Sequence, residues 1–295
     1  MEINNKMQVT IDQLRKAKGI GEKTIERIIE QYAEPSLYDT SYKPYKAHEL
    51  DYRDENNWLM YGDCLERMRE IPDGSVDMIM VDVPYGTTAC KWDEIIPLEP
   101  MWESINRAVK DNAAIVMTAS QPFTSVLITS NLGGHKYNWT WIKNTKLGHL
   151  VARHRPLAQS EDICVFGVGK PTYNPQMIPR DAIRVDTKNT SSCVHLGSEK
   201  TRVAPKTYTH YHPSTILNVN TVPRPQSAHP TQKPVALMEY LIRTYTDEGE
   251  AVLDFTFGSG TTGVACRNLN RKFIGIELDE NYYKLGRDRI LNGNK

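Results

Sequence analysis

The chain has 295 residues and a formal net charge of zero, with 39% hydrophobic and 24% charged residues. These values are ordinary for a globular protein, and the length suits one large α/β domain with insertions or two domains. They exclude a polycation that coats nucleic acid with its whole surface, although a local basic face stays open. No uninterrupted apolar run approaches the ~20 residues of a membrane span, and the N-terminal MEINNKMQVT lacks the features of a signal peptide. We expect a cytoplasmic protein that has no membrane segment.

Five cysteines are scattered along the chain and form no C-x-x-C pair. Neither a disulfide framework nor a zinc site is indicated, so we expect buried free thiols. His210 and His212 are close in sequence, but no acid or cysteine lies near them to complete a metal site. The sequence therefore predicts no metal.

The N-terminal residues 1–34 carry two short helical patterns, VTIDQLRKA and KTIERIIEQYA, separated by KGIGE. LRKAKGIGEKTIERII resembles a helix-hairpin-helix, a motif that presents backbone amides to a DNA phosphate without reading sequence. We expect a DNA-binding module with Gly19, Gly21 and Lys23 at the hairpin; a plain pair of helices is the alternative. Residues 35–56 hold prolines, tyrosines and charges without periodicity and predict a linker.

From residue 57 onward, strand and helix patterns alternate. The predicted strands are NWLMYGD, VDMIMVDV, AAIVMTAS, KYNWTWIK, EDICVFGVG, EAVLDFTF and FIGIELD. The predicted helices are CLERMREI, LEPMWESINRAVKD, FTSVLITSN, KPVALMEYLIRTYT, VACRNLN and ENYYKLGRDRILN. This alternation predicts an α/β fold with a doubly wound, mostly parallel sheet. Residues 170–228 differ, because they are polar, basic and weakly periodic, and predict an inserted substrate-facing segment rather than core.

The glycine-rich turn DFTFGSGTTG, Asp254 to Gly263, follows a predicted strand and precedes a predicted helix. Glycines let the chain turn tightly and let a ligand approach the backbone, and the first amides of a helix attract polar or anionic groups. Glu277 ends the next predicted strand, where an acid commonly binds ribose hydroxyls. No lysine follows the glycines as in NTPase loops, so the pattern favours a nucleoside site over a purely structural turn.

The stretch VDVPYG places an acid, a proline and an aromatic ring where a buried strand ends. Asp82 would project into the crevice where open α/β sheets bind ligands, and Pro84 stiffens the turn. The combination suits a planar nucleobase with an amino group: the carboxylate and a neighbouring carbonyl each accept one N–H, and the ring of Tyr85 holds the base plane. An acid that caps a turn beside a core tyrosine is the alternative.

Together the two motifs resemble those of the amino-group DNA methyltransferases, which use S-adenosylmethionine. That family carries D/N/S-P-P-Y for the target base and F-x-G-x-G for the cofactor, and the order found here is that of its β class, which includes phage and restriction-modification enzymes. YGDCLERMREIPDGSVDMIMVDVPYG, ARHRPLAQSEDICVF and HPTQKP are also similar to family segments. The resemblance covers about residues 57–290 and implies a Rossmann-like methyltransferase domain over residues 57–295.

The resemblance implies one site built from both ends of this domain. A base rotated out of the duplex would be held by the stretch Asp82, Val83, Pro84 and Tyr85, with the Asp82 carboxylate and the Val83 carbonyl accepting the amino hydrogens. The implied S-adenosylmethionine site comprises Asp63, Thr231, Lys233, Asp254, Phe257, Gly258, Gly260, Thr261, Thr262 and Glu277. Within it, Glu277 would bind the ribose and Asp63 would lie near the adenine. The groups near the methionine end would be Phe257, Gly258, Gly260, Thr231 and Lys233. No metal and no covalent intermediate are needed.

An acid at the first position of the base motif favours adenine N6 as the target, whereas a serine would favour cytosine N4. Val83 stands where the family has proline; valine still supplies a carbonyl but loses rigidity, so we expect activity to be kept, at the same or a reduced level. The alternatives are an N4-cytosine enzyme, a catalytically impaired DNA-binding relative, and an enzyme that methylates RNA or a small molecule.

The middle of the chain is basic, and it includes the insertion where the family places target recognition. We expect phosphate contacts from Lys143, Lys146, Arg153, Arg155, Lys200, Arg202 and Lys206. Tyrosines and histidines between Tyr208 and His212 would reach base edges, although a solvated loop is the alternative. Double-stranded DNA is the predicted partner, and the resemblance leaves open a homodimer and a cognate restriction endonuclease. It also implies that the cytoplasm is that of a bacterial or phage-infected host cell.

Overall fold

The computed structural model describes residues 48–86, 94–186, 206–223 and 232–293. Most of these residues form a nine-stranded sheet with helices on both faces. The strands are β1 (Tyr52–Arg53), β2 (Asn57–Tyr61), β3 (Val76–Val81), β4 (Val109–Ala119), β5 (His135–Leu147), β6 (Ala158–Phe166), β7 (Ile178–Asp186), β8 (Lys206–Tyr211), β9 (Ile216–Asn218), β10 (Ala251–Asp254) and β11 (Lys272–Glu277). The helices are α1 (Cys64–Arg67), α2 (Leu98–Ala108), α3 (Phe123–Ser130), α4 (Val235–Tyr245), α5 (Thr261–Asn268) and α6 (Glu280–Asn292). Among these described residues, no helix is both long enough and apolar enough to span a membrane.

The strand order is β1-β2-β11-β10-β3-β4-β6-β5-β9. All pairings from β2 to β4 are parallel, whereas β6 runs antiparallel to both β4 and β5. The prediction of a doubly wound, mostly parallel sheet is therefore confirmed. β10 and β3 are neighbours in the sheet. The chain leaves β10 toward β11 on one side and leaves β3 toward β4 on the other, so a crevice opens between β10 and β3 at their carboxyl ends.

The central strand β3 shows why the sheet is covered on both faces. All six of its residues are buried, and successive side chains of a strand point to opposite faces. Ile79 and Val81 pack with α2 and α3, while Met78 and Met80 pack with α4, α5 and α6. The continuous apolar run VDMIMV, with its one acid at the strand start, is the pattern of a strand buried between two layers.

The first strand corrects the predicted linker over residues 35–56. β1 pairs antiparallel with β2, and the Asp51 carboxylate forms an ion pair of 2.7 Å with Arg67, whose side chain is 1% exposed. A buried guanidinium requires such a counter-ion, so the domain includes residues 48–56, and its compact unit begins at His48. The predicted helical module at residues 1–34 lies outside the described residues.

The insertion predicted over residues 170–228 is also narrower than expected. β9 joins the main sheet parallel to β5, and its Leu217 is buried. Near the start of the predicted insertion, the backbone amide of Asn174 donates to the Thr244 carbonyl of α4 at 2.7 Å. Only β7 and β8, which pair with each other, form a separate sheet within the described residues.

The two ends of the domain meet on one side of the sheet. The Tyr283 hydroxyl of α6 donates to the carbonyl oxygens of Leu50 and Leu59, at 2.7 and 3.2 Å. The last helix thereby packs against the segment that opens the domain, beside β2.

Candidate active site

The crevice at the carboxyl ends of the strands brings the two sequence motifs together. Asp82 follows β3 and Asp254 ends β10, the neighbouring parallel strand. The Thr256 hydroxyl, just after β10, donates to the backbone carbonyl of Asp82 at 3.1 Å. Glu277 ends β11 on the far side of β10, so segments that are far apart in sequence line one edge of the sheet.

The Asp82 carboxylate is held by donors on both of its oxygens. Oδ1 accepts hydrogen bonds from the Tyr85 hydroxyl at 2.8 Å and from the Thr118 hydroxyl of β4. Oδ2 accepts from the Lys233 ammonium at 2.6 Å. The side chain stays 28% exposed, so the carboxylate is oriented in advance and still reachable from the crevice.

Two other residues of VDVPYG anchor this loop to the core beneath it. Val83 is only 3% exposed and packs in the core with the α2 and α3 layer. The Tyr85 ring stacks on Phe123, with 5.5 Å between centroids and 23° between planes. Burial, reinforced by the nearby Asp82 charge, raises the pKa of the Tyr85 phenol well above its usual value, so its hydroxyl remains a donor.

A cluster of four charges, Asp82, Lys233, Glu161 and Lys143, extends from the loop onto β6 and β5. The Lys233 nitrogen lies 3.6 Å from Glu161 Oε2, and the Lys143 ammonium contacts Glu161 Oε1. Burial alone would lower the pKa of Lys233, but the Asp82 and Glu161 carboxylates outweigh it and hold that pKa above its usual value. The predicted phosphate contact of Lys143 is wrong, because its ammonium is buried and paired within the protein.

The two glycines of the turn after β10 have left-handed backbone conformations, and they serve different purposes. A Cβ on Gly260, at φ +78°, would lie 2.7 Å from the Gly286 carbonyl oxygen of α6. A Cβ on Gly258, at φ +51°, would meet only the Thr256 carbonyl oxygen, at 3.9 Å. Gly260 therefore lets a helix approach closely, whereas Gly258 leaves open space in the crevice.

Three residues predicted to bind a cofactor have side chains that shape the turn. Asp254 is buried and accepts hydrogen bonds from the Thr256 amide at 3.1 Å and the Thr262 hydroxyl at 2.6 Å. Burial raises the pKa of Asp254 to about 7. The Phe257 ring packs in the core against Phe273 and α6. Asp254, Thr262 and Phe257 thus hold the backbone of the turn in place.

The other residues predicted for the cofactor site lie in the glycine turn or near it. Glu277 accepts hydrogen bonds from the amides of Gly258 and Asp279, both at 2.8 Å, and burial raises its pKa. Asp63 is exposed and caps α1 by accepting from its first amides. The Thr261 hydroxyl is buried and has no hydrogen-bond partner among the described residues, which is the state expected of a group that awaits a ligand.

Several predicted residues cannot be placed in the site. Those outside the described residues are Gly19, Gly21, Lys23, Thr231, Lys200 and Arg202, and Lys206 is described by its backbone alone. Lys146, Arg153 and Arg155 are exposed on and after the end of β5, as a phosphate contact requires.

Sequence reasoning missed Thr118, Glu161, Thr256 and Arg180. Thr118 and Glu161 lie near the crevice ends of β4 and β6, so polar residues at the ends of predicted strands were the signal that could have found them. Arg180 lies over the Tyr211 ring at 3.7 Å on the small β7–β8 sheet. This guanidinium adds a cation beside the tyrosines and histidines predicted to read bases.

Comparison with known proteins agrees with this geometry. Residues 76–288 match the family model for N6/N4 methyltransferases, described as DNA methylase. The chain is 28% identical to the DNA adenine methyltransferase YhdJ of Escherichia coli (strain K12) over 257 residues, which cover 81% of this chain and 84% of that protein. It is also 28% identical to the type II methyltransferase M.HpaI of Haemophilus parainfluenzae, over 79% of this chain and 73% of that one.

Solved structures show the same fold. M1.HpyAVI in its SAM complex is 26% identical, with a TM-score of 0.54 over 79% of this chain and 99% of that one. The cytosine-N4-specific PvuII DNA methyltransferase is 16% identical, with a TM-score of 0.58 over 83% of this chain and 89% of that one. Because the family model spans most of the chain and includes the crevice, this protein belongs to the N6/N4 DNA methylase family.

Proposed function

We propose that the protein transfers a methyl group from S-adenosylmethionine to the exocyclic N6 amino group of adenine in double-stranded DNA. The observation that carries the proposal is the Asp82 carboxylate, oriented by Thr118 and Lys233 at the crevice beside the glycine turn. A fixed carboxylate at this edge of the sheet is suited to accept hydrogens from an amino group.

The cofactor is S-adenosylmethionine, and the residues of the crevice fit it. Gly258 leaves space where any larger residue would intrude, and the buried Thr261 hydroxyl needs a partner. Glu277 would bind the ribose hydroxyls with the acceptor capacity left after its two amide contacts. When bound, the cofactor supplies an electrophilic methyl group on a sulfonium.

The base loop would position the amino nitrogen of a base that has left the duplex. The Asp82 carboxylate and the Val83 carbonyl would each accept one amino hydrogen, which turns the nitrogen lone pair toward the methyl donor. Positive charge builds on that nitrogen as it is methylated, and the fixed negative charge of Asp82 stabilises it. The Tyr85 ring, which is backed by Phe123, would stack on the base. Catalysis would rest on positioning and electrostatics.

Adenine is favoured over cytosine by two observations. The base motif begins with aspartate, and a relative that aligns over most of both chains is named a DNA adenine methyltransferase. The fold alone does not decide, because the PvuII enzyme of similar fold is cytosine-N4-specific. Cytosine N4 is therefore the second candidate target.

DNA would be bound by two sets of side chains that include cations. One group is Lys146, Arg153 and Arg155, and the other is Arg180 with Tyr211 on the β7–β8 sheet. Cations at such positions hold phosphates, and an arginine stacked on a tyrosine suits contact with bases. A homodimer and a cognate restriction endonuclease remain predictions.

The deciding experiment incubates the protein with methyl-labelled S-adenosylmethionine and DNA of mixed sequence, followed by digestion and identification of the labelled nucleoside. We expect the label in N6-methyldeoxyadenosine. Labelled N4-methyldeoxycytidine would show that the target is cytosine and not adenine, and an absence of label in DNA would overturn the proposal. The Asp82→Asn variant, which is isosteric and lacks the charge, serves as the matched negative control.

A further inference from the structure

Glu161 lies on β6, which is separated from β3 and Asp82 by β4. Lys233 is paired with both Glu161 and Asp82. The Lys233 nitrogen is 2.6 Å from Asp82 Oδ2 and 3.6 Å from Glu161 Oε2. Glu161 Oε2 is buried and accepts no hydrogen bond from the described residues. Because a buried carboxylate oxygen without a donor is costly, this atom is a ready acceptor next to an occupied one.

The contact of Lys233 with Asp82 opposes the role proposed for Asp82. A cation at 2.6 Å offsets the negative charge that would stabilise the methylated nitrogen, and it takes up part of the acceptor capacity of Asp82 Oδ2. Lys233 is 8% exposed, so water cannot easily replace the carboxylate as its partner. The ammonium must therefore have another anion within reach when a base arrives.

We propose that Glu161 is a positioning residue for methyl transfer: it receives Lys233 from Asp82 when the amino group of the target base binds. This inference rests on the proposed function and deepens it. The ammonium needs to move only roughly 1 Å to reach hydrogen-bond distance of Glu161 Oε2. The movement frees Asp82 Oδ2 without exposing a charge to an apolar surrounding.

Lys143 makes this exchange feasible, because it holds Glu161 in place from the other side. Its ammonium contacts Glu161 Oε1, and the Lys143 backbone carbonyl accepts a hydrogen bond from Gln159 at 3.1 Å. The two carboxylates and two ammonium groups of the cluster sum to zero charge, whichever carboxylate Lys233 contacts. The transfer of Lys233 therefore changes the charge presented to the base and leaves the cluster balanced.

A double-mutant cycle tests the assignment through single-turnover methyl transfer at saturating DNA and S-adenosylmethionine. Glu161→Gln keeps the shape and removes the charge, and we expect it to slow transfer at least about tenfold in the wild-type background. In the Lys233→Met background, the same change should slow transfer less than about twofold, because no ammonium remains to be drawn away. An equal loss in both backgrounds overturns the proposal.

Two further variants separate this role from charge balance. Glu161→Gln leaves an excess buried cation that could destabilise the fold, so Glu161→Gln combined with Lys143→Met restores neutrality. We expect this charge-balanced variant to fold and remain slow; recovery of the wild-type rate would mean that Glu161 only neutralises Lys143. Asp162→Asn is the matched control on the same strand, where the carboxylate accepts from the Thr124 hydroxyl, and should change the rate less than about twofold.

A crystal structure of the Asp82→Asn variant tests the exchange without any activity. With the Asp82 charge removed, the Lys233 nitrogen should lie within about 3.0 Å of Glu161 Oε2. A lysine that stays on the substituted side chain or turns to solvent overturns the proposal. If wild-type protein labels no DNA but this structure shows the shift, the proposed function fails and the assignment of Glu161 as the second acceptor stands.

Discussion

The base loop, residues 82–86, and the glycine turn, residues 254–263, lie side by side but are held in different ways. Side chains from distant strands and from the segment before α4 hold the base loop through charges and hydroxyls. Close packing of the backbone, with Gly260 against Gly286, holds the glycine turn together with hydrogen bonds inside the turn to the buried Asp254. A loop fixed by ion pairs can change partners with small movements, whereas a packed backbone has a single arrangement. The first suits a base that comes and goes, and the second a cofactor that needs a constant cradle.

The largest expected effect separates the two regions by function. Asp82→Ala should reduce methyl transfer by at least about a hundredfold, because the acceptor and its charge are both lost. Its affinity for S-adenosylmethionine, measured by calorimetry, should stay within about threefold of wild type, since the turn does not use the carboxylate. A large loss of cofactor affinity would count against the role given to Asp82.

A pair of glycine variants breaks the turn in two different ways. Gly260→Ala should lower the free energy of unfolding by about 1–3 kcal/mol or more, because its Cβ meets Gly286 backbone in a left-handed conformation. Gly258→Ala should cost only about 1 kcal/mol from its positive φ and should weaken cofactor binding, because its Cβ enters open space. Denaturant unfolding and calorimetry on both proteins check this contrast, and equal stabilities would contradict it.

A third prediction concerns the pH dependence of stability and belongs to the turn alone. The pKa of Asp254 is raised to about 7 in the fold, above its usual value of about 3.9 in the unfolded chain. The folded state therefore binds this proton more tightly, and its contribution to stability is lost as pH rises from about 4 to about 7. Relative to wild type, Asp254→Asn should become more stable across this window. Denaturant unfolding without cofactor at pH 5 and pH 8 measures the difference, which should be larger at pH 8.

The smallest effect is expected at Val83. Val83→Pro should leave methyl transfer unchanged or raise it, because proline keeps the carbonyl and stiffens the loop. Val83→Ala, in contrast, should lower the free energy of unfolding by about 1–3 kcal/mol, because the side chain is buried. A collapse of transfer in Val83→Pro with intact cofactor binding would refute this account.

The sequence predicts the long elements and the local motifs well. The helices carry apolar residues at a clear period, and β3 is a nearly continuous apolar run. Both patterns are strong information about structure. β1 and β9 have two and three residues, too few to show a period, and this is why the sequence indicates a linker over residues 48–56 and an insertion at β9.

Charge pairing is much harder to predict than the motifs. Glycines and acids after a strand reveal a site because their positions follow from local chain geometry. The sequence indicates an exposed cation at Lys143, yet its partner Glu161 lies on the antiparallel neighbour, where Trp141 pairs with Glu161. Only the register of β5 and β6 makes this contact, and no local pattern encodes that register.

The contact of Tyr283 with Leu50 has a consequence for how the domain can be rearranged. Tyr283 contacts Leu50, two residues after the start of the domain at residue 48, and the end of α6 is about 14 Å along the helix from Tyr283. A short linker could therefore join the end of α6 to residue 48. A circularly permuted chain, opened in the connection between β9 and α4, would then carry the glycine motif before VDVPYG. Its strands would keep their neighbours and the crevice between β10 and β3 would be unchanged. Motif order along the chain and motif placement in the fold are therefore separable properties of this domain.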